Sequence, residues 1–156
     1  MRMTHTVRYD ASLEDVRAML TDPGFRERAT LAQGATHVEV AVTDGAVTIE
    51  FHRPNDDIPG FARKVIGGSH LHARQHEEWD GESADFSITT DGIPAAITGT
   101  RRLVADDDGT LDTFEGESKA RIPLIGGKIE SLMADKLRRG WDNEHEVGTA
   151  WLAGER

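Results

Sequence analysis

Residues 36–52, THVEVAVTDGAVTIEFH, alternate apolar and polar side chains on both sides of Asp44-Gly45. An Asp-Gly pair between two alternating segments is the strongest short-range signal for a β-hairpin. Folding about that turn creates three apolar cross-strand pairs: Val42 with Val47, Val40 with Ile49 and Val38 with Phe51. All of these side chains then lie on one face, so the stretch predicts a sheet with one buried side.

Residues 70–89, HLHARQHEEWDGESADFSIT, repeat this arrangement about Asp80-Gly81. A two-residue turn there predicts four cross-strand pairs: Ala73 with Ile88, Gln75 with Phe86, Glu77 with Ala84 and Trp79 with Glu82. A slip of one residue would move every side chain to the opposite face. The alternation therefore predicts an inward face that includes the polar Gln75 and Glu77.

Shorter patterns surround the two hairpins. In chain order they predict a strand at 3–9, helices at 12–20 and 25–34, and strands near 95–105 and 110–122. Ser12 is placed to cap the first helix, with Asp15 three residues later in a weak capping box. The tripeptide Asp22-Pro23-Gly24 separates the two helices, which predicts a strand followed by two short helices before the sheet continues.

The C-terminal residues 123–154 carry apolar side chains at spacings of three and four, the pattern of an amphipathic helix. These positions are Ile129, Leu132, Met133, Leu137, Trp141, Gly148, Trp151 and Leu152. Nearly thirty residues of helix would extend roughly 40 Å. No other predicted element is large enough to cover a seven-stranded antiparallel sheet, so we expect an α+β fold in one domain over residues 1–156.

Composition excludes several classes of function. The chain of 156 residues has no cysteine, which removes disulfides, thiolate metal sites and thiol nucleophiles. A net charge of −10 argues against nucleic acid and anionic membranes as partners. The N-terminus has no secretory pattern, and no apolar run approaches the roughly 20 residues of a membrane span. We expect a cytoplasmic protein without a cofactor; its oligomeric state is left open.

Four segments carry a resemblance to a known family: LTDPGF (20–25), VEVAVTDGAVTIEF (38–51), DGIP (91–94) and IPLIGGKIE (122–130). With the order of elements, they resemble the START-like superfamily, also called SRPBCC, which includes polyketide cyclase-like proteins. More narrowly, they are similar to an uncharacterised actinobacterial family within it. The resemblance implies a helix-grip fold, in which a curved seven-stranded antiparallel sheet wraps around the long C-terminal helix. It also implies a cavity between them for an apolar or amphipathic small molecule.

The inward strand faces and the helix stripe supply the candidate ligand-binding residues. They are Leu71, Ala73, Gln75, Glu77, Trp79, Phe86, Ile88, Ile97, Arg101, Phe114, Ser118, Met133, Leu137 and Trp141. Gly99 and Gly116 share the inward faces of the sixth and seventh strands. Small residues opposite a helix indicate either close packing or room for a ligand.

Glu77 and Arg101 are the charged members of this set. An unpaired buried charge is costly, so the two either pair across the pocket, line a wet cavity, or are turned outward at a strand end or bulge. We expect them to be polar anchors in an apolar pocket, a common design of small-molecule sites. Glu77 is also the one candidate general acid or base, if burial raises its pKa.

His70, His72 and His76 share the opposite, outward face of their strand. Histidines two residues apart on a strand can bind zinc, but the facing positions Asp85, Ser87 and Thr89 offer only one further ligand. A solvated polar face is the favoured interpretation, and we predict no metal site.

Two glycine-containing segments suggest further roles. Residues 54–70 carry the apolar Ile58, Phe61, Val65 and Ile66 between glycines, which predicts either a lid or a short helix packed on the sheet edge. Gly126-Gly127-Lys128 resembles a phosphate loop, but Ile122 stands where the first glycine is required and Ile129 where Ser or Thr is required. We therefore expect the two glycines to let the chain approach the sheet closely, and substitution of either by valine to damage folding.

Three functions remain open. The first is a protein that binds or carries a lipid, polyketide or aromatic molecule, which needs only the cavity. The second is an enzyme of the polyketide cyclase or aromatase type, in which the cavity positions the substrate. The third is a protein-interaction module without a ligand.

Overall fold

The computed structural model describes residues 1–56 and 58–155; Asp57, Arg156 and the side chain of Ile66, which the lid prediction includes, lie outside the described set. The elements are β1 (Arg2–Tyr9), α1 (Leu13–Leu20), α2 (Pro23–Ala32), β2 (Thr36–Thr43), β3 (Ala46–Pro54), α3 (Gly60–Ile66), β4 (His70–Asp80), β5 (Ser83–Thr90), β6 (Ala95–Asp106), β7 (Gly109–Ala120) and α4 (Gly126–Leu152).

The strands form one curved antiparallel sheet of seven, in the order β1-β7-β6-β5-β4-β3-β2. Helix α4 lies across its apolar face and buries Ile129, Ala134 and Trp141. The predicted α+β class and the helix-grip architecture are confirmed. None of the described helices is long and apolar enough to cross a membrane.

The first hairpin pairs Val42 with Val47 and Val40 with Ile49, as its sequence predicts. Both turn residues, Asp44 and Gly45, have positive φ, at 49° and 85°. This is the signature of a type I′ turn, for which Asp-Gly is well suited. The predicted pairing of Val38 with Phe51 is wrong, because the register shifts between Thr36 and Glu39 at a bulge.

The second hairpin has a different turn from the predicted one. Asp80 pairs with Ser83, so the two turn residues are Gly81 and Glu82, and only Gly81 has positive φ, at 63°. This pattern fits a type II′ turn, which places glycine first. The four predicted pairs are therefore wrong by two residues; Glu77, for example, faces Phe86. A slip of two keeps every side chain on its predicted face.

The first short helix has the predicted Ser12 cap, and the second has a cap, Asp22, that was not predicted. The Ser12 hydroxyl accepts a hydrogen bond from the Asp15 backbone N–H at 3.2 Å. Helix α2 begins at Pro23, two residues earlier than predicted, because the Asp22 carboxylate accepts from the N–H groups of Gly24 and Phe25. Proline suits the first turn of a helix, so Asp22-Pro23 starts α2 and does not merely interrupt α1.

Only one of the two glycines that begin α4 is required by packing. A Cβ at Gly126 would lie 2.9 Å from the Ala120 carbonyl oxygen, so the predicted close approach occurs there. A Cβ at Gly127 would meet no described atom within 4 Å, and its φ is not positive. The expectation that Gly127→Val damages folding through crowding is therefore wrong.

Gly99 and Gly116 serve close packing and leave no room for a ligand. They pair with each other across β6 and β7. A Cβ would lie 2.9 Å from the Phe114 ring at Gly99 and 2.5 Å from it at Gly116. The ring of Phe114 therefore occupies the space that two side chains would otherwise fill.

Candidate functional site

A cavity of about 180 Å³, partly open to solvent, lies between the sheet and α4. An engineered protein cavity of about 150 Å³ holds benzene, so the space suits a small organic molecule. Its wall on α4 runs from Ile129 to Glu144, a length of roughly 22 Å at 1.5 Å per residue. Helix α2 contributes Arg26 and Thr30 to one side.

Eight of the fourteen sequence-predicted residues line the cavity: Leu71, Ala73, Gln75, Ile88, Ile97, Met133, Leu137 and Trp141. They come from β4, β5, β6 and α4, and alternation or helical spacing brings each to the inner face. Further apolar wall residues were outside the predicted set, including Phe51, Ile93 and Ile129. Ile129 belonged to the predicted helix stripe, so its spacing already indicated this position.

The other six predicted residues lie in the interior and not on the cavity wall: Glu77, Trp79, Phe86, Arg101, Phe114 and Ser118. Phe86 and Phe114 pack edge to face with the Trp141 ring, at centroid distances of 6.1 and 5.3 Å. Ser118 donates its hydroxyl hydrogen to the Glu130 carbonyl at 2.9 Å and so ties β7 to α4. These residues position the walls of the cavity from behind.

Glu77 is at the centre of a buried polar cluster beside the cavity. Its carboxylate accepts two hydrogen bonds from the Arg26 guanidinium, at 2.9 and 2.8 Å. It also accepts from Arg101 at 3.2 Å, from Gln75 at 2.9 Å and from the Trp79 indole N–H at 3.0 Å. The side chain of Glu77 is 0% exposed. Glu77 and Arg101 thus pair, but behind the cavity wall, which corrects their expected role as anchors inside it.

Arg101 completes the cluster toward β7 and α4. It donates to both carboxylate oxygens of Asp112, at 3.0 and 2.6 Å, and to Glu144 at 2.5 Å. The guanidinium also lies 4.3 Å from the centre of the Trp141 ring, a favourable cation–π geometry. We call Arg26, Glu77, Arg101, Asp112 and Glu144 the buried ion cluster. It joins α2, β4, β6, β7 and α4.

The cluster holds two guanidinium groups against three carboxylates, and this imbalance appears in the pKa values. Burial opposes ionisation of Glu77, but Arg26 and Arg101 outweigh it and lower the pKa of Glu77 to about 2. Burial raises the pKa of Asp112 above its ordinary value, although Arg101 acts in the opposite direction. A carboxylate as firmly ionised and paired as Glu77 is a poor general acid or base at neutral pH. This removes the candidate catalytic residue of the enzyme hypothesis.

The sequence prediction missed Arg26, Asp112 and Glu144. Glu144 lies three residues after Trp141 and four before Gly148, so helical spacing placed it on the apolar face. Asp112 alternates with Phe114 on the inward face of β7, and Arg26 lies on the α2 face that buries Phe25 and Ala29. The position of each residue on an inward face was visible in the periodicity of the sequence. Periodicity does not indicate which charged residue on another element will pair with it.

Helix α3 and the turn before it close one end of the cavity. Ile58 and Ala62 are buried against Ile129 of α4, and all three line the cavity together with Val65. The helix ends at Gly67 and Gly68, both with positive φ, at 64° and 73°. The segment therefore contains the short helix that was one of its two predicted alternatives, and this helix lies beside the cavity; the lid stays a prediction.

The outward histidines contact protein groups. His72 Nδ1 lies 2.5 Å from an Asp91 carboxylate oxygen. His76 lies 2.8 Å from the Thr48 hydroxyl and 2.8 Å from the Glu78 carboxylate. Within residues 1–56 and 58–155, no group of three His, Asp or Glu side chains is arranged to hold a metal ion.

Residues 4–152 match the family described as Protein of unknown function (DUF2505). The chain belongs to this family. Uncharacterized protein Rv0481c of Mycobacterium tuberculosis is 26% identical over 165 residues, which cover 92% of each chain. These matches agree with the predicted relation to an uncharacterised actinobacterial family.

Solved structures show the same fold in more distant proteins. A START superfamily protein from Mycobacterium smegmatis superposes with a TM-score of 0.64 at 13% identity, covering 97% of this chain and 98% of that one. DynU16, from the dynemicin biosynthetic locus, superposes with a TM-score of 0.57 at 14% identity, covering 99% of this chain and 48% of that one. At these identities the likeness establishes the START-like fold of this DUF2505 protein and leaves its ligand open.

Proposed function

We propose that this protein binds or carries a hydrophobic or amphipathic small molecule, of lipid, polyketide or aromatic type, in the cavity between the sheet and α4. The observation that carries the proposal is the cavity itself, walled mainly by apolar side chains with a few polar groups. Ligand sites in proteins commonly have this composition.

Two lining residues add support. The Arg26 Nε and Trp141 Nε1 atoms are buried and have no hydrogen-bond partner among the described residues. A buried donor without an acceptor costs on the order of 1–3 kcal/mol. An acceptor atom on a bound molecule would remove part of that cost.

The enzyme alternative, a cyclase or aromatase, rests on the fold shared with DynU16. The pairing of Glu77 within the buried ion cluster argues against the residue that this hypothesis needed. The third alternative, an interaction module, requires a filled core beneath α4, and the cavity argues against it. Carriage or sequestration therefore has the stronger support.

The test combines native mass spectrometry with a variant that fills the cavity. Ile88 is half-buried and lines the cavity, whereas the neighbouring Thr89 is exposed on the outer face. We expect gently purified protein to carry a small hydrophobic molecule and Ile88→Trp to lose it. Thr89→Trp, with the same added side chain outside the cavity, should retain it.

Two outcomes would contradict the proposed function or its site. If wild-type protein carries no small molecule and binds neither decanoate nor decan-1-ol in solution, the proposed function is wrong. If a molecule is bound equally in Ile88→Trp and Thr89→Trp, it binds elsewhere and the cavity is not the site.

A further inference from the structure

Arg53 is a cation in the cavity wall that has no acidic partner among the residues the structure describes. It continues the inward face of β3 after the buried Val47, Ile49 and Phe51, and it pairs in register with Leu71, which also lines the cavity. Its one described hydrogen bond is from a guanidinium nitrogen to the Gln33 carbonyl oxygen at 3.3 Å. That contact stabilises the C-terminal end of α2, but it uses only one of the five N–H donors of the Arg53 guanidinium group.

Among the described residues, Arg53 differs in its pairing from the two buried arginines beside the cavity. The protein has 28 acidic residues against 18 Lys and Arg, and it pairs the deeper Arg26 and Arg101 with three carboxylates. Among the described residues, none supplies Arg53 with a carboxylate within 4.0 Å. A half-buried guanidinium facing a cavity is favourably placed to receive an anion.

The distribution of charged residues over the molecule also favours an anionic ligand near Arg53. The end of the sheet where β3 ends and β4 begins is also where α3 and the first turns of α4 lie. It carries the basic Arg63, Lys64, Arg121 and Lys128 beside the acidic Asp56, Asp91 and Glu130. Residues 119–139 contain six Lys or Arg and two Asp or Glu. The opposite end carries the acidic hairpin turns, which include Asp44, Asp80, Glu82, Asp107 and Asp108. The end that α3 covers is therefore less acidic than the opposite end, which favours it as the place for an anionic group.

We propose that the ligand is an amphiphile with one anionic head group, a carboxylate or a phosphate, which Arg53 binds while the apolar tail lies along α4. This inference rests on the proposed function and adds the charge class of the ligand. The wall from Ile129 to Glu144 is long enough for an extended alkyl chain.

Isothermal titration calorimetry with matched C10 probes tests the inference. Decanoate, decyl phosphate and decan-1-ol share one tail, and only the first two are anionic at pH 7.5. We expect at least one anion to bind the full-length protein about tenfold more tightly than the alcohol, the scale of a charge-assisted hydrogen bond. The anion with the higher affinity identifies which head group the site prefers.

Two variants localise the effect. Arg53→Gln should lose the preference for the anion and retain its affinity for decan-1-ol, which also shows that the cavity still folds. Arg74→Gln removes the same charge from the outer face of β4, where the Arg74 side chain is 58% exposed, and should retain the preference.

The outcomes separate the two proposals. Equal affinities of all three probes for wild-type protein would overturn the anionic head group and leave the proposed function standing. An anion preference that survives in Arg53→Gln would overturn the role of Arg53. Absence of binding by every probe would overturn the inference, and the proposed function would fall with it only if gently purified protein also carries no small molecule.

Discussion

The two halves of the interface between α4 and the sheet differ in the polarity of the side chains that they bury. Toward the C-terminal part of α4, the space is filled by the buried ion cluster and by the aromatic rings around Trp141. Toward its N-terminal part, the side chains are mostly apolar and leave a cavity that begins under α3 and ends beside the cluster, at Trp141 and Glu144. The polar half joins five elements to one another, and the apolar half provides space. Charged residues on an inward face can therefore serve to hold elements together, while apolar residues on the same face line the candidate binding site.

The largest expected effect is a loss of folding stability on substitution of Glu77, at the centre of the polar half. Glu77→Ala leaves Arg26 and Arg101 with uncompensated buried charge, and removing one partner of such a pair costs roughly 3–5 kcal/mol. Chemical denaturation should show a loss of this size in the free energy of unfolding. The neighbouring Glu78→Ala, on the exposed face, should change it by less than about 0.5 kcal/mol. A loss below about 1 kcal/mol for Glu77→Ala would mean that the cluster does not hold the elements together.

The second effect is a pH dependence of folding stability that arises from the carboxylates of the same half. Because the pKa of Glu77 is lowered to about 2, its ionisation stabilises the fold above the unfolded pKa, and this stability is lost as the pH falls toward 2. The loss is up to roughly 3 kcal/mol. The pKa of Asp112 is raised, so its protonation acts in the opposite direction.

Denaturation between pH 7 and pH 2 measures this balance. We expect the stability of wild-type protein to fall below about pH 4.5, the ordinary pKa of a glutamate. Asp112→Asn should start from a lower stability, because it loses the ion pair with Arg101, and should retain the fall, because Glu77 keeps its contacts with Arg26 and Arg101. A wild-type stability that stays constant or rises down to pH 2 would contradict the assignment of Glu77 as the dominant group.

The smallest effect concerns the apolar half. If α3 acts as a gate, binding of decanoate or decan-1-ol should slow amide hydrogen exchange in residues 58–69, because Ile58, Ala62 and Val65 would contact the bound molecule. Exchange mass spectrometry detects a change of a few-fold in rate. The hairpin turn at Asp44-Gly45, at the opposite end, serves as the internal control. Equal exchange in residues 58–69 with and without bound probe would make α3 a fixed cover.

The sequence predicted the sheet well because alternation needs only local information. The side chains of β3 and β4 lie on their predicted faces even though the second hairpin slips by two residues. Asp80-Gly81 has the composition of a type I′ turn, but the chain uses Gly81-Glu82 as a type II′ turn. Turn type depends on how both strands meet the rest of the sheet, which the dipeptide alone does not contain.

The candidate site was less predictable than the fold. The inward face of β4 was predicted as a unit, yet Leu71, Ala73 and Gln75 line the cavity while Glu77 and Trp79 are packed behind it. Where a strand face stops contacting a cavity and starts contacting a core depends on the length and tilt of α4 and on the position of α2. These are properties of packing between elements distant in the chain.

The sequence by itself determined which side chains point inward, that a long helix covers them, and that no thiol chemistry is available, because periodicity and composition are local properties. The tertiary structure alone decided that Glu77 and Arg101 are paired with Arg26, Asp112 and Glu144, since those three partners come from three other elements, α2, β7 and α4. It also decided that Arg53 has no carboxylate partner within the described part of the chain, because pairing depends on distances that only the folded chain defines. The contrast between the ion-paired Arg26 and Arg101 and this half-buried Arg53 is the reason for proposing an anionic ligand.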